Sequence, residues 1–254
     1  MLRDRGISVS GAGWFDGGDT AYISVSPIVA DSTDTVKKVF DCWFGLGSPV
    51  CDSVISFAVD KSESLWAQWK TSYLVEIDNG GHSSATPSGW YAEGEIVNIQ
   101  VDPDTESIVD SVLWKFIGWT GTGSGSYTGG DNPAQIRVGS HITETAQWEK
   151  QFYLGINYTG VSDTEPELDG AGYHTAYSDV DICAEQFVYV GEVRYHFMNW
   201  SGGTFADSTS NCTTIQLDTA KTITANYGAF EVSPIDTITG SLGETLYVPI
   251  MLYN

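Results

Sequence analysis

Positive charge is scarce in this chain: 11 Lys and Arg stand against 33 Asp and Glu, a formal balance of −22 over 254 residues. Nucleic acid and anionic membranes are poor partners for such a surface, because like charge repels. Cations, basic proteins and uncharged polysaccharide are the favoured counterparts. Long apolar runs are missing as well. No stretch approaches the ~20 residues that cross a bilayer, so no membrane insertion is expected in this segment. Met1-Leu2-Arg3-Asp4-Arg5 leads into alternating Ile7-Ser8-Val9-Ser10 without the apolar core of a signal peptide. The chain is then either cytosolic or an internal piece of a larger exported protein, and its two ends favour the second. Charged residues are only 17% of the total, which leaves a surface of Ser, Thr, Gly and Asn of the kind common outside the cell. The 13% aromatic content argues against a disordered acidic tail.

Catalytic signatures are absent. There is no Gly-x-x-x-x-Gly-Lys-[Ser/Thr] phosphate loop, and the Gly121 to Gly130 run has no Lys near it and reads as a hairpin. No Gly-x-Ser-x-Gly elbow presents a nucleophile. His82, His141, His174 and His196 show neither i, i+4 nor His-x-His spacing, so they make no metal site. Paired carboxylates are too plentiful to single out a glycosidase pair. Calcium is the one ion worth considering. Asp16 to Asp19, Asp102 to Asp104 and Asp163 to Asp169 are acidic loops, but none follows the twelve-residue calcium pattern, and solvated loops explain them as well. No enzyme and no cofactor are expected.

The four cysteines form no Cys-x-x-Cys motif. Three pairings are open to them. Pairing within each repeat, Cys42 with Cys51 and Cys183 with Cys212, is the simplest, with buried free thiols as the alternative. Helical periodicity is also lacking; Glu106 to Val112 comes nearest to an amphipathic helix and falls short.

What the chain does have is a period of two. Val97, Ile99 and Val101 alternate with Asn98 and Gln100, and Tyr22 to Val25 and Val180 to Cys183 do the same. Such alternation is that of half-buried strands, and Gly-rich turns separate them. The fold class is therefore all-β with little or no helix. The pattern also repeats. Phe40-Asp-Cys-Trp43, Phe116-Ile-Gly-Trp119 and Phe197-Met-Asn-Trp200 each precede an alternating strand that ends in Trp69, Trp148 or Tyr227, and those three rings are 79 residues apart (148 − 69 and 227 − 148). A fixed period means a tandem array.

Three blocks align without gaps, opening at Gly13-Trp14, Gly89-Trp90 and Gly172-Tyr173 and ending at Val25, Val101 and Ala184. Gly18 and Gly94 match inside them, but repeat three has Tyr177, so a different turn is expected there. On the closing strand, Leu65, Glu144 and Ile223 share one inward position. A buried unpaired carboxylate is costly, so Glu144 is expected near an exposed strand start. Phe and Trp three apart cannot share one face of a regular strand. A bulge at Gly118 or Asn199 would bring both rings inward, and a bridge from Cys42 to Cys51 would hold the equivalent turn in repeat one. A core pair is the main reading of these rings; a sugar platform is the other. Trp14, Trp90 and Tyr173, at equivalent positions, are the candidates for exposed sugar-stacking rings. Asn157, Asn199 and Asn211 begin glycosylation sequons, all in repeat three.

These residues resemble the divergent internalin-type B-repeat family of bacterial and archaeal surface proteins, with its Gly-x-x-x-Gly turn, F-x-x-W-[ST]-G centre and closing T-x-T-A-x-[WYF] strand. Repeat two is fullest, through Gly89, Trp90, Gly94, Phe116, Trp119, Thr120, Gly121 and Thr143 to Trp148. Repeat three keeps Phe197, Trp200, Ser201, Gly202 and Thr222 to Tyr227, and repeat one diverges most. The resemblance implies small β-grasp-like or sandwich-like modules in series, as a stalk, adhesive or filament-forming segment, and it supplies no catalytic residues. The expected modules are residues 1–70, 71–149 and 150–228. Residues 229–254 resemble the opening strands of a cohesin-type or Ig-like domain, whose strand edge would invite pairing with another copy. Two functions follow: an extracellular repeat segment of a larger surface protein, or a carbohydrate-binding accessory module of a secreted hydrolase.

Overall fold

The computed structural model describes residues 9–30, 34–109, 111–229, 232–234 and 250–252. Among them every regular element is a strand and none is a helix, as the period-two pattern requires. The near-helical stretch around Glu106 is a hairpin, in which Thr105–Val109 pairs antiparallel with the start of Val112–Thr122. Ile7 and Ser8 lie outside the described residues. Of the expected cohesin-like opening, Val232–Pro234 and Ile250–Leu252 form an antiparallel pair, and the remainder, Gly240 to Thr245 included, also lies outside them.

The chain divides into two compact units, Met1–Asp104 with Phe116–Trp148, and Thr105–Lys115 with Glu149–Asn254. Within them lie three separate apolar cores. The first unit holds one core around Trp43 and another around Trp119; the second unit holds the core around Trp200. Each core sits between a small separate sheet and its own stretch of one 11-stranded sheet. One sheet carries the aligned block: Thr20–Val25 pairs with Val54–Ala58, Ile96–Ile99 with Ala134–Arg137, and Asp179–Ala184 with Cys212–Gln216, all antiparallel. The other sheet carries the ring signature. Val36–Phe44 pairs antiparallel with Trp66–Asp78, and Val193–Ser201 with Lys221–Ala229. The alternating strands thus turn one face to a core and the other to water.

The signature rings meet in the same way three times. Phe40 and Trp43 have centroids 5.6 Å apart, Phe116 and Trp119 5.5 Å, and Phe197 and Trp200 5.4 Å. Each Phe also meets the closing ring edge-on, Trp69 at 5.7 Å, Trp148 at 5.7 Å and Tyr227 at 6.0 Å. Such edge-to-face pairs contribute about 0.5–1.5 kcal/mol beyond the area they bury. A bulge allows it. The register against the closing strand shifts between Phe40 and Cys42 and between Phe197 and Asn199, so Asp41 and Met198 are the extra residues. The bulge expected at Asn199 thus falls one residue earlier, at Met198, and Asn199 does not use the positive φ it could tolerate, whereas Gly118 has φ 152°.

Two further expectations change. The turn at Tyr177 does not differ. Tyr177 adopts φ 65° where Gly18 has 92° and Gly94 has 85°. The three amides donate to equivalent carbonyls, Gly18 to Val59, Gly94 to Val138 and Tyr177 to Leu217. The hydrogen bonds of the turn hold an L-residue where glycine is at ease. Nor is Glu144 exposed: it is 0% accessible.

The closing strands run past their repeats. The long strand Trp66–Asp78 pairs first with the signature strand; its second half then lies antiparallel to Gly89–Ala92 and parallel to Ile142–Thr145. In Ile142–Thr159 the second half lies antiparallel to Gly172–Thr175 and parallel to Lys221–Asn226. The outgoing half of one closing strand is thus built into the module that follows it.

Candidate functional site

The candidate site is a groove of about 580 Å³ in the first module. One wall comes from Gly11 to Gly17, with Trp14 fully exposed and Phe15 partly so. The opposite wall is Val59 to Leu65, and Ala21, Ile23, Trp43 and Phe57 form the floor. Asp60, Lys61 and Glu63 edge it with charge, and Lys61 Nζ lies 3.5 Å from Glu63 Oε1. The groove exists because apolar positions here are left unfilled. Phe57, Val59, Leu65 and Ala67 are half-buried. Their counterparts 79 residues on, Ile136, Val138, Glu144 and Ala146, are at most 3% exposed, as are Ile215, Leu217, Ile223 and Ala225.

A glycine two residues after each signature Trp lets the chain close on the adjoining strand. A Cβ on Gly45 would meet the Ser64 carbonyl, one on Gly202 would sit 2.9 Å from Thr222 O, and one on Gly121 would sit 2.5 Å from Glu144 Oε1. Gly45 was not picked out from the sequence, although its place two residues after Trp43 marks it. The space at Gly121 holds the one buried carboxylate among the described residues. Glu144 Oε1 accepts the Tyr127 amide at 2.7 Å, while Oε2 has no partner. Burial pushes its pKa above the usual carboxylate value, and the Tyr127 hydrogen bond opposes part of that rise. The closing ring of the third module is also removed from water. Tyr227 donates its hydroxyl to Glu185 O at 2.7 Å, and burial pushes its pKa up to about 12.

The three rings considered for sugar are presented differently. Trp14 is bare, Trp90 has the Lys37 ammonium 3.7 Å over its ring, and Tyr173 stacks edge-on against Tyr153 at 5.2 Å. The cysteines form two bridges, Cys42–Cys51 and Cys183–Cys212, and none is free. The first ties the bulged strand to the loop after it, where Trp43 and Val50 exchange backbone hydrogen bonds. Of the sequon residues, Asn157 is exposed. Asn199 accepts from Asn226 Nδ2 at 2.7 Å, and Asn211 donates to Ala184 O at 2.9 Å. His141 Nε2 lies 2.7 Å from Glu76, and His174 Nε2 donates to Gly170 O at 2.7 Å. The acidic loops do not converge: among the described residues no three His, Cys, Asp or Glu side chains are placed to hold a metal.

Residues 73–151 and 194–230 match the divergent InlB B-repeat domain family. These segments are divergent InlB B-repeats. The B-repeat of the middle module begins at Tyr73, on the outgoing half of the preceding closing strand, so that strand is part of the family's own unit. No curated protein and no solved structure matches the chain.

Proposed function

We propose that the chain is a non-catalytic repeat segment of a larger cell-surface protein, in which B-repeats in series form a stalk or adhesive arm outside the cell. The observation that carries this reading is the passage of a single strand from one module into the core of the next, in Trp66–Asp78 and again in Ile142–Thr159. Two bridged cysteine pairs and a net charge of −22 suit an oxidising, aqueous exterior. Its partners are then other copies or other domains of the same protein, and polysaccharide. Antibody labelling of intact cells, with thiol alkylation before reduction, tests it. Surface label with all four cysteines protected is expected. Protein found only inside the cell with alkylated cysteines would end the proposal.

A second reading, carbohydrate binding by an accessory module, is favoured by the bare ring of Trp14 beside the groove. Glycan binding lost in Trp14→Ala supports it; an array without a hit removes it.

A further inference from the structure

We infer that the groove of the first module is a seat for an extended strand, the outgoing half of another B-repeat's closing strand. The inference rests on the repeat architecture and not on where the protein resides.

The second and third modules show the seat filled. In the second, the outgoing strand lies between Gly89–Ala92 and Ile142–Thr145; in the third, it lies between Gly172–Thr175 and Lys221–Asn226. The register is the same in both. Val75 stands opposite Ile142 and Leu154 opposite Lys221; Ile77 stands opposite Glu144 and Ile156 opposite Ile223. Each pair is 79 residues from its counterpart (154 − 75 and 221 − 142; 156 − 77 and 223 − 144). Alternate residues of the strand complete each core, and Val75 and Leu154 are both 0% exposed.

Taking the same 79 residues from Ile142 and Glu144 gives Glu63 and Leu65, and the counterparts of Gly89 and Trp90 are Gly13 and Trp14. These four residues line the two walls of the groove. No strand runs between them among the described residues. The half-burial of Phe57, Val59, Leu65 and Ala67 follows, as does the size of the core: among the described residues four are buried in it, Trp43 included, against eleven in the core of Trp119 and thirteen in that of Trp200. Trp66 to Gln68 keep one strand edge without a partner among the described residues, and the non-strand segments Glu63 to Leu65 and Gly13 to Asp16 flank the unfilled apolar floor. Such an open edge recruits a strand by main-chain hydrogen bonds, with alternate side chains setting specificity. The partner therefore runs parallel to Glu63 to Gln68, antiparallel to Gly13 to Asp16, and places apolar side chains opposite Glu63 and Leu65.

The test titrates the full chain with synthetic peptides of sequence 71–78 and 151–158 and follows amide hydrogen exchange and tryptophan fluorescence. Saturable protection confined to residues 13–16 and 63–68 is expected, together with a change in the Trp14 signal. A peptide carrying Val75→Asp and Ile77→Asp should bind at least about tenfold more weakly. Concentration-dependent protection of the same amides without peptide, competed away by peptide, makes a second copy the donor and supports the inference. Three results overturn it: no protection at millimolar peptide, equal protection by the Asp-bearing peptide, or full protection of those amides in the dilute chain alone. Any of these leaves the surface-stalk reading standing.

Discussion

The Tyr127 amide donates to Glu144 Oε1 across 2.7 Å inside the core of the middle module, while Oε2 receives nothing. One hydrogen bond does not replace the hydration of a carboxylate, and a buried polar group without full compensation costs about 1–3 kcal/mol by mutational measures. Leu65 and Ile223 hold this position in the other modules. Glu144→Leu is therefore expected to stabilise the module by about 1–3 kcal/mol in urea melts at neutral pH. The pH dependence has a definite sign. A carboxyl whose folded pKa is raised gives its greatest stability below the unfolded value of 4.5 and loses it as pH climbs through the higher folded value. The wild type should lose stability over that interval, and Glu144→Leu should lack that component. A larger neutral-pH stability in the wild type than in the variant would refute this account.

Gly94 sits at φ 85° with no atom closer to a new Cβ than Arg137 at 4.0 Å. Gly94→Ala then tests backbone conformation without a steric clash. A loss of about 1–2 kcal/mol is expected, the ordinary cost of left-handed backbone for an L-residue. Tyr177 already bears this cost at the equivalent turn, partly offset by its edge contact with Phe152 at 5.8 Å. Thermal melts of the Gly94→Ala chain, with Gly17→Ala as an unstrained control, decide it.

The two bridges close loops of different length, with sequence separations of 9 and 29. Loop-closure entropy makes the longer one worth about 1 kcal/mol more. Cys183→Ser with Cys212→Ser should thus destabilise its module more than Cys42→Ser with Cys51→Ser destabilises the first. Equal losses in paired urea melts would count against a loop-entropy origin.

Trp119 and Trp200 fill well-packed cores, and either one changed to Ala should cost about 3–5 kcal/mol. Trp43 is just as buried, at 3%, but it lines a groove in which Phe57, Val59 and Leu65 are only half-buried. Trp43→Ala should cost less than Trp119→Ala, because the cavity it leaves opens onto space that is already there. Peptide added to fill the groove should widen the loss at Trp43 toward that at Trp119.

The sequence made the repeat and the ring contacts legible, since both are short-range patterns: Phe and Trp three apart force a bulge, and alternation names the inward face. Glu144 was misplaced because its burial depends on the Tyr127 loop and on the missing side chain of Gly121, contacts remote in the chain. Tyr177 misled because glycine is easier there but not obligatory when three hydrogen-bonded turns share one geometry. The groove left only a trace, the short alternating stretch before Gly13-Trp14, and the role of Tyr73 to Ile77 in the following core appears only once strands are paired.

The parallel pairing of Val75 to Asp78 with Ile142 to Thr145 has a mechanical meaning. Pulling the chain by its ends drags these neighbours in opposite directions along their length, so the hydrogen bonds between them are loaded in shear and must fail together. An antiparallel hairpin drawn open from one end would instead yield bond by bond. Leu154 to Thr159 with Lys221 to Asn226 repeats the arrangement, and a force ramp on the chain should record tall, discrete rupture peaks.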